Sequence, residues 1–148
     1  MAQPADKPMT VPEFLAWDDG IDTRYELVGG RPVAMSPPGG PHRTIAANAT
    51  TLLSNALRDR PPCRPEQEAG IEITEHQWRQ AGVAVTCHPP APGPIIDPLL
   101  IVEVLSPSTR RTDLVDKLRE YRGLPSAFAS PVLRAPVMLG ELYRNIEA

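Results

Sequence analysis

The sequence predicts a mixed α/β domain, with a mixed sheet of the α+β kind and helices packed on it. Apolar residues recur at helical spacing between 42 and 58. Short β-branched and apolar runs, bounded by glycine or proline, lie on both sides of that helix in the sequence. The resulting order is helix, hairpin, helix, two strands, buried strand, helix. This order is typical of a small central sheet with helices packed against it.

Length and composition narrow the class of protein. The 148 residues suffice for one domain with one core. A net charge of −3 provides no general attraction for nucleic acid, so any such contact needs a local patch. No apolar run approaches the ~18 residues of a membrane-spanning helix, and two cysteines are too few for a disulfide framework. We therefore expect a soluble, cytoplasmic protein.

The first elements are a short helix and a hairpin. Thr10 and Glu13 have the spacing of a capping box, which predicts that a helix begins there. Apolar runs at 24–28 and 31–35 flank a Gly-Gly pair, and this pattern predicts a tight β-hairpin. The best-defined helix of the chain then covers 42–58.

The second half of the chain predicts three strands and a helix. Strands are expected at 68–73 and 78–86, and a proline-rich loop follows at 88–98. The run at 99–105 is apolar without alternation, as in strands that are buried on both faces of a sheet. The last helix is predicted to begin at an N-cap that is either Thr112 or Asp113. Its buried face is predicted to contain Leu114, Leu118 and Tyr121.

Glu103 is the one carboxylate in the apolar run at 99–105. A lone buried carboxylate is costly unless it is paired or binds a metal. Two interpretations are open. Glu103 lies at the end of the sheet and pairs with Arg110 or Arg111, or it serves catalysis.

Lys117 borders the predicted buried face of the last helix. Either its stem packs while the ammonium stays in water, or the ammonium reaches the end of the preceding strand. Glu26 repeats the pattern of Glu103, as a carboxylate within a short apolar strand. Two such carboxylates and a lysine suit metal-dependent phosphodiester hydrolysis, because carboxylates hold Mg²⁺ and a lysine offsets charge on the reacting phosphate.

Four stretches of the chain form an ordered set, namely MTVPEFLAW, RYELVGGRPVAMSPPGGPH, RQAGVAVTC and IVEVLSPSTRRTDLVDKLREYR. In order and spacing they resemble the Uma2 family of endonucleases, which belongs to the PD-(D/E)xK restriction-endonuclease-like superfamily. The last stretch is the most specific to that family. The resemblance covers roughly residues 9–125. It implies a restriction-endonuclease-like core.

The resemblance also implies a set of site residues. Glu26, Glu103 and Lys117 match the catalytic positions, with Glu103 and Glu26 as ligands of Mg²⁺ or Mn²⁺. Tyr121 completes the pattern of the lysine helix. His42 matches a histidine with a supporting role before the second helix.

One position departs from the family pattern. Where the family has an aspartate after RQA, this chain has Gly82, which offers no ligand. The resemblance therefore implies a metal-dependent DNA endonuclease that is impaired by this lost ligand. The alternative is an inactive protein of nuclease fold that binds nucleic acid or a protein partner.

The remaining expectations concern substrate contacts and chain organisation. Arg110 and Arg111 are the expected phosphate contacts on DNA, with a solvated turn as the alternative. A homodimer is plausible for an enzyme that cuts both strands, and no membrane partner is expected. The chain is predicted to have a flexible N-terminus at 1–9 and a Uma2-like domain at 10–125. A divergent segment follows at 126–148, and its prolines would truncate the edge of the sheet.

Overall fold

Five strands form one antiparallel sheet in the computed structural model, which describes residues 7–105 and 111–124. The strands are β1 (Tyr25–Val28), β2 (Arg31–Ala34), β3 (Arg64–Thr74), β4 (Gln77–Thr86) and β5 (Leu100–Val102). The helices are α1 (Val11–Leu15), α2 (Gly40–Ala56) and α3 (Leu118–Arg122), and a π-helical turn (Thr112–Lys117) leads directly into α3. The predicted mixture of helices and sheet is confirmed.

The central strand β4 has neighbours along both of its edges. β3 pairs with it along almost its whole length. The other edge is shared, because β1 pairs with β4 at Trp78 whereas β5 pairs with residues 83–85. Between these two pairings, no strand of the described ranges 7–105 and 111–124 lies beside this edge of β4. This gap between β1 and β5 positions the candidate site.

The N-terminal elements agree with the prediction because their signals are local. The capping box forms, since the Thr10 side chain accepts from the Glu13 backbone N–H and the Glu13 carboxylate accepts from Thr10. Gly29 and Gly30 have φ angles of +57° and +75°, the left-handed region that a tight hairpin turn requires. Met9, at the end of the segment predicted to be flexible, donates its backbone N–H to the Gly30 carbonyl.

β3 is longer than predicted and begins at Arg64. Pro65 is accommodated because β3 lies at the end of the strand order, where a missing backbone donor is tolerated. The proline-rich loop returns along the outer edge of β3, where Ile95 donates to the Gly70 carbonyl and accepts from the Glu72 backbone N–H. This part of the predicted loop therefore covers an otherwise open strand edge.

β5 corrects the prediction of a long strand buried on both faces. It spans three half-buried residues, and Leu105 beyond it is 45% exposed. The reason is topological, because β5 pairs with β4 alone among the described strands and so lies at an edge. Glu103 therefore follows the strand rather than lying within it.

The last helix also differs from its prediction. Its first turn is π-helical, preceded by Arg111 without a side-chain cap, so neither Thr112 nor Asp113 is the N-cap. Leu118 is 40% exposed, whereas Lys117 and Tyr121, which are four residues apart and share a helical face, are buried.

Two core clusters pack the helices against the sheet. In the first, α2 packs Ala49, Leu53 and nearby residues against Val83 and Val85. In the second, Tyr121 and Leu124 pack with residues of β3 and β4, namely Ala69, Ile71, Ala81 and Ala84. Among the described residues, no helix is long and apolar enough to cross a membrane.

Cys63 and Cys87 are joined by a disulfide, which the sequence did not predict. They flank Arg64 and Thr86, which are paired across β3 and β4, so strand pairing brings the two thiols together. The C-terminal segment at 126–148 and the predicted truncation of its sheet edge lie outside the described residues.

Candidate active site

The candidate site fills the gap on the edge of β4. In a continuous sheet, the backbone N–H and C=O groups of this edge would bond to a neighbouring strand. Here side chains replace that strand. The Gln80 N–H donates to Glu26 Oε1 at 2.9 Å, and the Gln80 carbonyl accepts from Lys117 Nζ at 3.0 Å. The edge of β4 is thus satisfied by the same side chains that could carry chemistry.

Glu26 reaches this gap from the middle of β1. Its side chain is only 7% exposed. Besides Gln80, it accepts a hydrogen bond of 2.9 Å from Arg79 at Oε2, and Lys117 Nζ lies 3.0 Å from Oε1. Both oxygens are therefore occupied by protein donors. These contacts give no support to Glu26 as a metal ligand, which stays a prediction.

Lys117 is the cation at the centre of the site. Its side chain is 6% exposed, and its ammonium lies between two carboxylates, 3.0 Å from Glu26 Oε1 and 3.5 Å from Glu103 Oε1. Burial of a lysine is costly unless its donors and its charge are both compensated. Two carboxylates and one backbone carbonyl supply that compensation. The sequence left open whether the Lys117 ammonium stays in water or reaches the end of the preceding strand. In the structure it lies beside Glu103, which follows β5.

Glu103 and Tyr121 form the other side of the site. The Tyr121 hydroxyl donates to Glu103 Oε1 at 2.8 Å. Burial raises the pKa of Tyr121 well above its ordinary value, and the charge of Glu103 and the hydrogen bond to it add to this effect. Tyr121 is therefore a hydrogen-bond donor to Glu103 rather than a base.

Arg79 and Glu120 belong to the same cluster, although the sequence did not single them out. The Arg79 guanidinium donates to both oxygens of Glu120 at 2.8 Å and to Glu26 at 2.9 Å. Burial opposes its charge, but the hydrogen bonds to Glu120 and Glu26 outweigh burial and raise the pKa of Arg79. One signal was available, because Arg79 occupies the same alternate positions of β4 as the apolar residues Ala81 and Val83, which predicts that it is buried with them.

Comparison with known proteins places the chain in a family. Residues 11–127 match the model of Uma2, described as "Putative restriction endonuclease". The chain belongs to the Uma2 family. An uncharacterised protein of Synechocystis sp. is 33% identical over 118 residues, which cover 76% of this chain and 62% of that protein. The chain thus spans less than two thirds of the length of this relative.

A solved structure supports the fold of the Uma2 chain. It is a protein of Anabaena variabilis, described as a "putative nuclease belonging to DUF820", with a TM-score of 0.63 and 19% identity. The likeness covers 78% of this chain and 69% of that one. At this level of identity the likeness concerns the fold alone, and it agrees with the mixed fold of sheet and helices expected from the sequence.

Gly82 lies directly beside Glu103 in the candidate site. A Cβ atom placed on Gly82 would lie 3.9 Å from Glu103 Oε2 and 3.0 Å from the Val102 carbonyl oxygen. An aspartate at this position would therefore bring its carboxylate next to that of Glu103. The position that departs from the family pattern is thus the position that faces the predicted metal ligand.

The residues present do not complete a site for a divalent cation. Mg²⁺ and Mn²⁺ prefer several oxygen ligands, and carboxylates are the usual protein donors. Among the described residues, no group of three or more His, Cys, Asp or Glu side chains is arranged to hold a metal. Glu26 and Glu103 are instead neutralised by Lys117 between them. The fit to a divalent cation is therefore incomplete without a carboxylate at position 82.

Three other predicted residues lie apart from this cluster or outside the described chain. His42 is half-buried in the first turn of α2, and no hydrogen bond or ion pair among the described residues joins it to the cluster. Arg111 is exposed at the start of the π-helical turn. Arg110 lies outside the described residues. Their predicted supporting and phosphate-binding roles stay predictions.

Proposed function

We propose that this protein is a DNA-directed nuclease of the Uma2 family whose phosphodiester hydrolysis is impaired by Gly82. One observation carries the proposal. Gly82 stands where a side chain would face Glu103 Oε2, while Lys117 already lies 3.5 Å from the other oxygen of the same carboxylate. The presence of a cation beside the Glu103 carboxylate, and the absence of a carboxylate at position 82, support an impaired hydrolytic centre.

The residues present have distinct uses in such a site. The Lys117 ammonium can offset the negative charge that develops on a phosphate during hydrolysis. Glu103 offers a carboxylate that Tyr121 holds in place at 2.8 Å. Exposed Arg111, at the start of the π-helical turn, would contact the DNA backbone.

The charges of the cluster support the impairment. Among the described residues of the cluster, the Lys117 ammonium lies 3.0 Å from Glu26 and 3.5 Å from Glu103, and Arg79 holds Glu26 and Glu120. A divalent cation would have to compete with these cations for the same oxygens. A carboxylate at position 82 would add a negative charge beside Glu103 Oε2. We therefore expect weak or no binding of Mg²⁺ and Mn²⁺ by the wild-type site.

The decisive experiment restores the lost carboxylate. Cleavage of a fluorescent DNA duplex with Mg²⁺ or Mn²⁺ would be compared for wild type, Gly82→Asp and Gly82→Ala. The alanine variant is the matched control, since it adds the same Cβ beside the Val102 carbonyl without a charge. We expect Gly82→Asp to cleave about 100-fold faster than Gly82→Ala, the size of a lost electrostatic contribution at an active site. The double variant Gly82→Asp/Glu103→Gln should lose this gain.

Metal binding provides an independent readout of the same change. Calorimetric titration with Mn²⁺ should show tighter binding by Gly82→Asp than by wild type or Gly82→Ala. Equal cleavage and equal Mn²⁺ binding by the aspartate and alanine variants would refute the proposal of an otherwise intact site.

A second candidate function is favoured by the same glycine. A protein of this fold that lacks a metal ligand can bind nucleic acid, or a protein partner, without cutting. Fluorescence anisotropy with a labelled duplex tests the first of these, and binding should weaken steeply with salt if backbone phosphates are contacted. Binding at low salt, together with no cleavage by Gly82→Asp, would favour this second function.

A further inference from the structure

We infer that Arg79 is a positioning residue that sets the place of Lys117 relative to Glu103. The inference rests on the proposed function for its chemical meaning, and it goes beyond the residues that the family resemblance implies. Arg79 acts through Glu26 and Glu120, each of which it holds by direct hydrogen bonds.

The first part of the argument is the shared carboxylate. Glu26 accepts from Arg79 at Oε2 and lies 3.0 Å from Lys117 Nζ at Oε1. The two cations thus hold one carboxylate from its two ends. Because an arginine fork binds carboxylates with a defined direction, the Arg79 contact restricts the rotation of Glu26. The oxygen that faces Lys117 is fixed as a result.

The second part is the connection to the helix. Arg79 donates from Nε and from a terminal nitrogen to the two oxygens of Glu120, both at 2.8 Å. Glu120 lies three residues after Lys117 and one before Tyr121 in the same helical segment. The bidentate pair therefore attaches the segment that carries both site residues to β4. Lys117 can then reach the Gln80 carbonyl, one residue along β4 from Arg79.

Burial gives this arrangement its strength. The Arg79 side chain is 5% exposed, and that of Glu120 is 17% exposed. Hydrogen bonds between ionised groups are stronger in such surroundings than at the surface. A purely structural role would require only that the charges be balanced. A positioning role requires the fork itself, because a single-point cation cannot bind Glu26 and both oxygens of Glu120 in fixed directions.

Lysine ammonium signals can report on this role without overlap, since Lys7 and Lys117 are the two lysines of the chain. The ammonium protons of both residues can be followed by NMR in ¹⁵N-labelled protein. Lys7 has a side chain that is 80% exposed and serves as the internal reference. In the wild type, the Lys117 protons should exchange with water much more slowly than those of Lys7, because three acceptors hold them.

Two variants test the positioning role. Glu120→Gln keeps the shape of the side chain but weakens the bidentate pair, and Arg79→Lys keeps the charge but removes the fork. We expect each to speed exchange of the Lys117 protons by about tenfold, the size expected for loss of one hydrogen bond to a charged group. Asp116→Asn is the matched control. It removes a carboxylate from the same helical segment, where Asp116 pairs with exposed Arg119, and it should leave Lys117 unchanged.

The same spectra contain the results that would overturn the inference. The inference is wrong if the Lys117 ammonium protons exchange at the wild-type rate in folded Glu120→Gln or Arg79→Lys. It is also wrong if the backbone amide protons of Val83 and Val85 exchange faster by the same factor, since that would indicate general loosening of the core. Should Arg79→Lys fail to fold, Glu120→Gln decides alone. These measurements need no cleavage, so the inference can fail while the nuclease proposal holds, and the reverse.

Discussion

The Tyr121 hydroxyl donates a hydrogen bond of 2.8 Å to Glu103 Oε1, and this contact joins α3 to the end of β5. The two residues are 18 positions apart in the sequence, so their contact brings two separate elements together at the site. Tyr121 is 9% exposed and also packs in the core cluster beneath α3. The tyrosine therefore contributes both apolar packing and the orientation of the carboxylate.

Replacement of Tyr121 by phenylalanine should separate these two contributions. The ring and its packing remain, whereas Glu103 loses its donor. We expect a decrease in the free energy of unfolding of about 1–3 kcal/mol, as for a buried hydrogen bond to a charged group. Urea denaturation measures the change. Tyr25→Phe is the control, since the Tyr25 hydroxyl bonds to exposed Asp19. We expect it to lower the free energy of unfolding clearly less than Tyr121→Phe does.

Tyr121 should also make the protein less stable at alkaline pH. Its pKa in the folded protein lies above the ordinary value of 10.0, so the folded chain keeps a proton that the unfolded chain loses. Its contribution to stability is complete below pH 10 and decreases as the pH rises above it. The slope should approach about 1.4 kcal/mol per pH unit. In urea denaturation series above pH 10, Tyr121→Phe should lack this slope, and identical slopes would contradict the prediction.

The two lysines should differ strongly in their contribution to stability. Lys117→Met leaves two buried carboxylates without their shared cation, and loss of one partner of a buried pair costs about 3–5 kcal/mol. Lys7→Met removes an exposed ion pair with Glu13 at 3.9 Å, for which we expect at most about 0.5 kcal/mol. Chemical denaturation of both variants checks this. Similar losses for the two would show that Lys117 is not held as described.

Gly70 should be intolerant of a side chain because Trp78 lies across it. A Cβ atom on Gly70 would lie 2.4 Å from the Trp78 ring, so the indole would have to move. We expect Gly70→Ala to cost about 1–3 kcal/mol, as for overpacking, and to change tryptophan fluorescence. Gly40→Ala in the first turn of α2 is the control, since nothing lies within 4 Å of its added Cβ. A neutral Gly70→Ala would show that the ring can shift without cost.

Much of the site could be predicted because its residues lie close together in the sequence. Glu103, Lys117 and Tyr121 belong to one continuous motif, and the structure brings them together. Arg79 was missed because its partners Glu26 and Glu120 are 53 and 41 residues away. Pairing over such distances depends on the order of strands in the sheet, which no local pattern contains.

The bounds of the helices and strands were likewise predictable where they depend on neighbouring residues and not where they depend on long-range contacts. The hairpin at Gly29-Gly30 agreed with its prediction because two glycines alone permit its turn. The strand around Glu103 proved shorter and half-buried because its neighbours, rather than its own apolar residues, determine its burial. The buried face of the last helix differs from its prediction because Lys117, which pairs with Glu26 and Glu103, is buried while Leu118 is exposed.

By itself, the sequence determined the turns, the long helix, the family and the absence of a carboxylate at Gly82, because each depends on residue identity or on neighbours along the chain. The tertiary structure alone decided that β1 and β5 leave a gap on β4, and that Glu26 and Lys117 fill it. The physical reason is that backbone groups on an open strand edge must find partners, and only the folded arrangement decides which side chains supply them.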